Sequence, residues 1–153
     1  MKILQQINNW DQIVLIEHNS DAYSEAVKLR YEILRKPLGL NFAEEQLQAE
    51  KGNYHLVYLS DDVLVAYLML VPQEEGKMKM KQVAVDKNLQ RKGIGRELVL
   101  AAEKFSFEKG FSLMYCHARD TAVPFYKKLN YTITGEMFIE VSIPHFCMEK
   151  RLV

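Results

Sequence analysis

Apolar positions along this chain recur with two different periods, and the switching between them predicts a mixed α and β architecture. Ile13-Val14-Leu15-Ile16 is a short run rich in β-branched residues, closed by the polar cluster His18-Asn19-Ser20-Asp21, and it predicts a strand. Ala22, Ala26, Leu29 and Ile33 then fall at i, i+4, i+7 and i+11, which places them on one helical face until Pro37 and Gly39 stop the pattern. A weaker helix is expected over residues 43–50, ending near Gly52. Residues 54–60 and 63–71 read as strands joined by Asp61-Asp62, a connection short enough for a hairpin. In residues 78–85, Met78, Met80, Gln82 and Ala84 alternate with Lys79, Lys81, Val83 and Val85, as in a strand with two unlike faces.

The period changes again at Arg96. Leu98, Ala101, Ala102 and Phe105 stand at i, i+3, i+4 and i+7, and Gly110 supplies the stop. An apolar strand follows at 113–117. Strand, helix and strand in that order imply a right-handed crossover, and so one parallel pair within a mostly antiparallel sheet. A helix over 121–129 and strands over 132–141 and 146–152 complete an α+β plan of about seven strands and four helices.

Composition narrows the functional classes. With 153 residues, 48% hydrophobic and 26% charged, the chain fits one globular domain, residues 1–153, rather than a disordered or fibrous segment. Its formal net charge is zero, so no field of the whole molecule draws nucleic acid or an anionic membrane, and neither is expected as a partner. Cys116 and Cys147 form no CxxC motif and are expected as reduced, buried thiols. No window approaches the roughly 20 apolar residues of a membrane span, and a cytoplasmic location is the expectation. The histidines lack metal-ligand spacing, so no metal is expected.

One segment departs from this neutral picture. From Lys79 to Arg96 six basic residues stand against the single acid Asp86, a local charge of +5. Within it Gln90-Arg91-Lys92-Gly93-Ile94-Gly95 leads into the helix. Glycines let the backbone approach a bound group closely, and the first amides of a helix have no internal partners, which together make an anion site suited to a pyrophosphate. Taken alone, Lys-Gly-Ile-Gly is equally an ordinary turn capped by solvated lysines. It is neither a dinucleotide fingerprint, since Leu98 stands where the third glycine or alanine belongs, nor a P-loop, since Arg96-Glu97 follows Gly95.

Val83-Ala84-Val85 followed by Gln90-Arg91-Lys92-Gly93-Ile94-Gly95 resembles the acetyl-CoA-binding motif of the GNAT superfamily of N-acetyltransferases, Gln/Arg-x-x-Gly-x-Gly/Ala, at all three defining positions. Downstream, Ala122-Val123-Pro124-Phe125-Tyr126-Lys127-Lys128-Leu129-Asn130-Tyr131 is similar to the family's Ala-x-x-Phe-Tyr-x-x-x-Gly-Phe helix. The resemblance covers residues 54–152. The N-terminal helices match only loosely, through Leu29-Arg30-Tyr31 and Leu34-Arg35-Lys36-Pro37-Leu38-Gly39. Two positions depart from the pattern: Asp120 stands where many members carry an Asn that helps hold the cofactor, and Asn130 replaces the glycine before the aromatic.

The resemblance implies a GNAT-like sheet whose central parallel strands splay apart, with acetyl-CoA as co-substrate in the gap. Backbone of Val83, Ala84 and Val85 would hold the pantetheine. Gln90, Arg91, Lys92, Gly93, Ile94, Gly95 and Arg96 would wrap the pyrophosphate, with Asp120, Phe125 and Tyr126 also against the cofactor. Tyr126 matches the family tyrosine that protonates the departing sulfur, a role suited to a phenol with a pKa of about 10. The thioester oxygen would lean on the amide of Val85 or Val83. Gln82 cannot ionise and could only orient water or substrate. Glu140 and His145, flanking Ile143-Pro144, are candidates for binding or deprotonating the acceptor. Arg30, Tyr31, Glu32 and His55 could line its other side.

The expected reaction is acetyl transfer from acetyl-CoA to a primary amine, small-molecule or peptide, by direct attack. A non-catalytic acyl-CoA-binding or sensing domain is the alternative, and Tyr126 argues against it. A homodimer formed through edge strands is the oligomeric expectation that the resemblance carries.

Overall fold

The computed structural model of the chain describes residues 1–153. Its elements follow in the order β1 (Lys2–Gln6), β2 (Asp11–Ile16), α1 (Asp21–Arg30), α2 (Glu44–Ala49), β3 (Tyr54–Ser60), β4 (Val63–Pro72), β5 (Lys77–Val85), α3 (Ile94–Glu108), β6 (Leu113–Arg119), α4 (Val123–Lys128), β7 (Thr132–Glu140) and β8 (Ile143–Arg151). The eight strands form a mixed sheet in the order β1-β2-β3-β4-β5-β6-β8-β7. One strand more than expected is present. The extra one is β1, whose residues are mostly exposed and so carry no apolar period to betray them. No helix is long and apolar enough to cross a membrane. Two compact units divide the chain, one of residues 1–70 with 82–102, the other of residues 71–81 with 103–153.

In the second unit the first half of β5 pairs in parallel with β6, from Lys77 opposite Leu113 to Met80 opposite Cys116. Antiparallel β8 lies on the other side of β6, with Cys116 opposite Met148 and His117 opposite Cys147. Side chains alternate across a strand. Met114, Cys116 and Ala118 are accordingly buried, while Tyr115, His117 and Arg119 are half-buried on the opposite face. Both thiols are free, but Cys147 is only half-buried. β7 and β8 form a hairpin turning at Val141-Ser142, both with positive φ, and Gly135 (φ +75°) lies where their register shifts. The last strand starts at Ile143 rather than 146. Pro144, opposite Ile139, hides it by lacking an amide for the ladder, and a proline is tolerated near a strand's start.

The first unit is built on the antiparallel run β1–β4. Asp61 and Asp62 take φ of 49° and 63°, the left-handed pair that a two-residue hairpin requires. Ser20 caps α1, its hydroxyl accepting from the Tyr23 amide at 3.2 Å. The helix does not bury the face its apolar stripe suggests. Tyr23, Ala26 and Arg30 face inward, and Ala22, Leu29 and Ile33 are half-buried. After Arg30 the chain widens into a π-turn, Tyr31–Arg35, then tightens through Lys36–Leu38 to Gly39 at φ +69°.

Arg30, fully excluded from solvent, explains the shifted face. Its two terminal nitrogens each donate to a Glu50 carboxylate oxygen at 2.7 Å, and Tyr23 donates to Glu50 Oε1 at the same distance. The guanidinium also lies 4.5 Å from the Phe42 ring centre and 5.2 Å from that of Tyr67. His55 donates through Nε2 to the Glu50 carbonyl at 3.0 Å and accepts from the Tyr67 hydroxyl at 2.7 Å. Burial would raise the Glu50 carboxyl, but the hydrogen bonds from Arg30 and Tyr23, with Arg30's charge, outweigh it and hold it below the ordinary range. Burial holds the His55 ring low, hence neutral. Replacing Arg30 by Met leaves a buried carboxylate unmatched, and we expect a loss of about 3–5 kcal/mol in urea unfolding. Adding Glu50→Leu should restore most of it, and a double variant no better than the single one would remove the ion pair from this account.

Candidate functional site

The glycine segment follows β5 in the first unit. Asp86 Oδ1 accepts from the Asn88 amide at 2.9 Å, shaping a 3-10 turn over Lys87–Leu89, and Gln90 reaches back to donate to the Val85 carbonyl at 3.0 Å. Arg91 and Gly93 both take positive φ, 67° and 85°, so that the chain swings into α3 at Ile94. The first turn closes when the Glu97 amide donates to the Gly93 carbonyl at 3.0 Å. The amides of Ile94, Gly95 and Arg96 therefore precede the first amide that donates within the helix, that of Glu97. No atom lies within 4 Å of where a β-carbon on Gly93 would stand. Exposed Arg91, Lys92 and Arg96 surround this amino end, and the arrangement can receive a phosphate through backbone amides, dipole and side-chain charge.

Upstream, Gln82 breaks the regular alternation of β5. It adopts φ +57°, and its buried Oε1 has no hydrogen-bond partner. A non-glycine residue held left-handed inside a strand, with an orphaned acceptor, marks local strain of the kind stored at working sites. Ala84 is buried and Val83 and Val85 are half-buried.

In the second unit Tyr126 is 6% exposed, and the Cys116 sulfur is a polar neighbour of its hydroxyl. Burial first, then that sulfur, push the phenol well above its ordinary pKa, so it keeps its proton. Phe125 meets it edge-on at 5.0 Å, as does Tyr131 at 5.5 Å. Tyr131 in turn donates to Glu103 at 2.9 Å, and Lys150 binds the other oxygen of that carboxylate at 2.7 Å. Asp120 is exposed and accepts from the Thr121 amide at 2.9 Å, a local turn contact rather than part of this packing.

The opposite face of β6 carries another constellation. Glu140 Oε1 lies 3.4 Å from His117 Nδ1, and its Oε2 lies 3.8 Å from His145 Nε2. His145, 4% exposed, donates through Nδ1 to the Ile143 carbonyl at 2.8 Å. Phe138 stands edge-on to His117 at 5.0 Å and stacks on His145 at 5.9 Å. Glu140 and His145, both named from the sequence as acceptor-side candidates, lie together here with His117, which spacing did not single out. The clue available was its place among the polar, odd-numbered positions of β6.

Other candidates go elsewhere. Arg30 and His55 are committed to the Glu50 network of the first unit. Glu32 is exposed and pairs with Lys36 one turn on, at 3.4 Å. Tyr31 is half-buried in the π-turn.

These features agree with what the chain is similar to. The sequence model of the family described as Acetyltransferase (GNAT) domain matches residues 21–152. The uncharacterized N-acetyltransferase YjcF of Bacillus subtilis is 28% identical over 137 residues, covering 89% of this chain and 97% of its own. A crystal structure of a Lactobacillus plantarum protein provisionally called an N-acetyltransferase superposes with a TM-score of 0.84 at 26% identity, over 95% of this chain and all (100%) of that one. An aminoglycoside 6'-N-acetyltransferase complexed with coenzyme A shares the fold, with a TM-score of 0.76 at 16% identity over 92% of this chain and 97% of its own. With its family match, its mixed sheet with one parallel pair and its glycine loop at the start of α3, the chain belongs to the GNAT family of acetyltransferases.

Proposed function

We propose that this protein transfers an acetyl group from acetyl-CoA to a primary amine by direct attack. The observation that carries the reading is the amino end of α3, where Gly93 turns left-handed with open space beside it and the following amides stand ready for an anion. A protein of this fold has been crystallised with coenzyme A, which supports the same choice of co-substrate. In this reading the segment Gln90 to Arg96 wraps the pyrophosphate, Val83 to Val85 offers backbone to the pantetheine, and an amide of Val83 or Val85 polarises the thioester oxygen.

Chemistry then divides between the two faces of β6. The amine nitrogen attacks the thioester carbon, its proton passing to Glu140 or, through that carboxylate, to His145. As the tetrahedral intermediate collapses, the carbon–sulfur bond breaks and Tyr126 hands its proton to the sulfur, recovering it from solvent. A phenol held well above its usual pKa is fully protonated at neutral pH, which a donor requires.

Release of free thiol from acetyl-CoA across a panel of amines tests the reading directly. Tight coenzyme binding without transfer to any amine would replace it with a sensing domain. Tyr126→Phe should lower kcat by roughly 100-fold or more, the scale of one acid–base contribution, while acetyl-CoA affinity stays within about threefold. Unchanged turnover would remove Tyr126 from the acid role. Gly93→Val forces a β-branched residue to φ +85° and fills the open space, so coenzyme A affinity by calorimetry should fall at least about tenfold. Normal affinity in that variant would move the pyrophosphate away from α3.

A further inference from the structure

One face of the second unit gathers His117 of β6, Glu140 of β7 and His145 of β8. His117 stands opposite Cys147, and His145 opposite both Arg119 and Phe138, so these positions share one side of the sheet, and Glu140, two residues beyond Phe138, joins them. The two imidazoles bring four ring nitrogens, of which three are engaged. His145 Nδ1 donates to the Ile143 carbonyl at 2.8 Å, and its Nε2 faces Glu140 Oε2 at 3.8 Å. His117 Nδ1 lies 3.4 Å from Glu140 Oε1. His117 Nε2 is the nitrogen left over, with no hydrogen-bond partner in the protein.

Exposure and chemistry favour the same atom. The His145 side chain is 5% exposed, which shuts it away from a substrate, whereas that of His117 is 29% exposed. Glu140 is open as well, at 46%, but each of its oxygens already faces an imidazole. An ionised carboxylate only accepts, so the hydrogen between the two groups sits on His117 Nδ1, and in the base form of the ring Nε2 carries the lone pair. A carboxylate so placed fixes the tautomer and orientation of the ring and stabilises the cation that forms when Nε2 takes a proton. Phe138, edge-on to His117 at 5.0 Å, limits rotation of the ring. Imidazoles also exchange protons closer to neutral pH than carboxylates do, the better match for a proton leaving an amine.

We infer that His117 Nε2 takes the proton from the attacking amine and that Glu140 acts through this ring as a positioning residue. The inference rests on the acetyltransferase reading and puts His117 ahead of Glu140 in its proton path. As the carbon–nitrogen bond forms, one N–H bond of the amine breaks and a new one forms at Nε2. The imidazolium rests against the Glu140 carboxylate and sheds the proton to solvent, directly or by way of that carboxylate. Tyr126 still supplies the proton that the departing sulfur gains, so the count of protons is unchanged.

The test uses the best amine of the panel, with thiol release as the assay. His117→Asn keeps an N–H in reach of Glu140 but has no group to take a proton, so kcat should fall roughly 100-fold or more while coenzyme A affinity by calorimetry and the thermal midpoint stay unchanged. His117→Ala should be equally slow, and added imidazole should restore part of its rate in a saturable way, which a merely structural histidine would not allow. The loss in His117→Asn should exceed that in Glu140→Gln, the order expected of a base and the carboxylate behind it. Nitrogen-15 spectra of the four histidines, with His117 assigned by the signal that its Asn variant lacks, should show the Nδ1–H tautomer and a bare Nε2 in the base form. Near-normal kcat in His117→Asn, no rescue by imidazole, a larger loss in Glu140→Gln, or an Nε2–H tautomer at His117 would overturn the inference while leaving acetyl transfer in place. If the protein acetylates no amine of any kind, the parent reading falls and takes this role with it.

Discussion

Much of what this protein can do depends on the two-residue period of a single strand. Along β6, Met114, Cys116 and Ala118 point into the packed side of the second unit, and Tyr115, His117 and Arg119 point the other way. Adjacent residues 116 and 117 therefore belong to different chemistries. Cys116 meets the Tyr126 hydroxyl, and His117 meets Glu140. Register is what protects this separation. β6 is held by β8 from Leu113 opposite Arg151 to Arg119 opposite His145, with β5 on its other edge. A slip of one residue would exchange the faces, burying His117 and Arg119 in place of small apolar groups, so the same burial that stabilises the sheet fixes which side groups face Tyr126 and which face Glu140.

In the first unit a different device sets position. Burying Arg30 is costly unless its donors are met, and Glu50 meets both terminal nitrogens while Phe42 and Tyr67 cover the guanidinium. Only Nε is left without a partner. The result ties α1 to the turn after α2 and to β3, three segments that share no regular backbone ladder. Such a network contributes less to net stability than an apolar core of equal volume, but it admits few alternative arrangements. That trade suits a region in which the chain leaves a helix through a π-turn and Gly39.

Legibility in the sequence followed the range of the interaction concerned. The inner stripe of α3 was plain, and Leu98, Ala101, Ala102 and Phe105 are all buried, because a helix brings its own neighbours together. The glycine loop was plain for the same reason: its turn, its cap and its basic residues lie within one short stretch. β1 was not, because an edge strand exposed on both faces has no period. The buried face of α1 was misread since the apolar rule does not count arginine, although its long stem packs like a hydrophobe once the head is paired. His117 was overlooked because its partner lies 23 residues away and the two meet only by reaching across β8. Spacing cannot show that; only the order of strands can.

The pairing of Tyr126 with a sulfur has one more consequence for the proposed chemistry. A phenol whose pKa rises far above its ordinary value would be a poor acid towards a thiolate in water, and by itself the shift argues against donation. But proton transfer depends on the difference between donor and acceptor in the same surroundings. Cys116 shares those surroundings, and burial pushes its thiol up to about 12. A coenzyme thiolate formed beside Tyr126 would meet the same loss of solvent and become a stronger base by a similar cause. Donor and acceptor then rise together, and the match between them is kept.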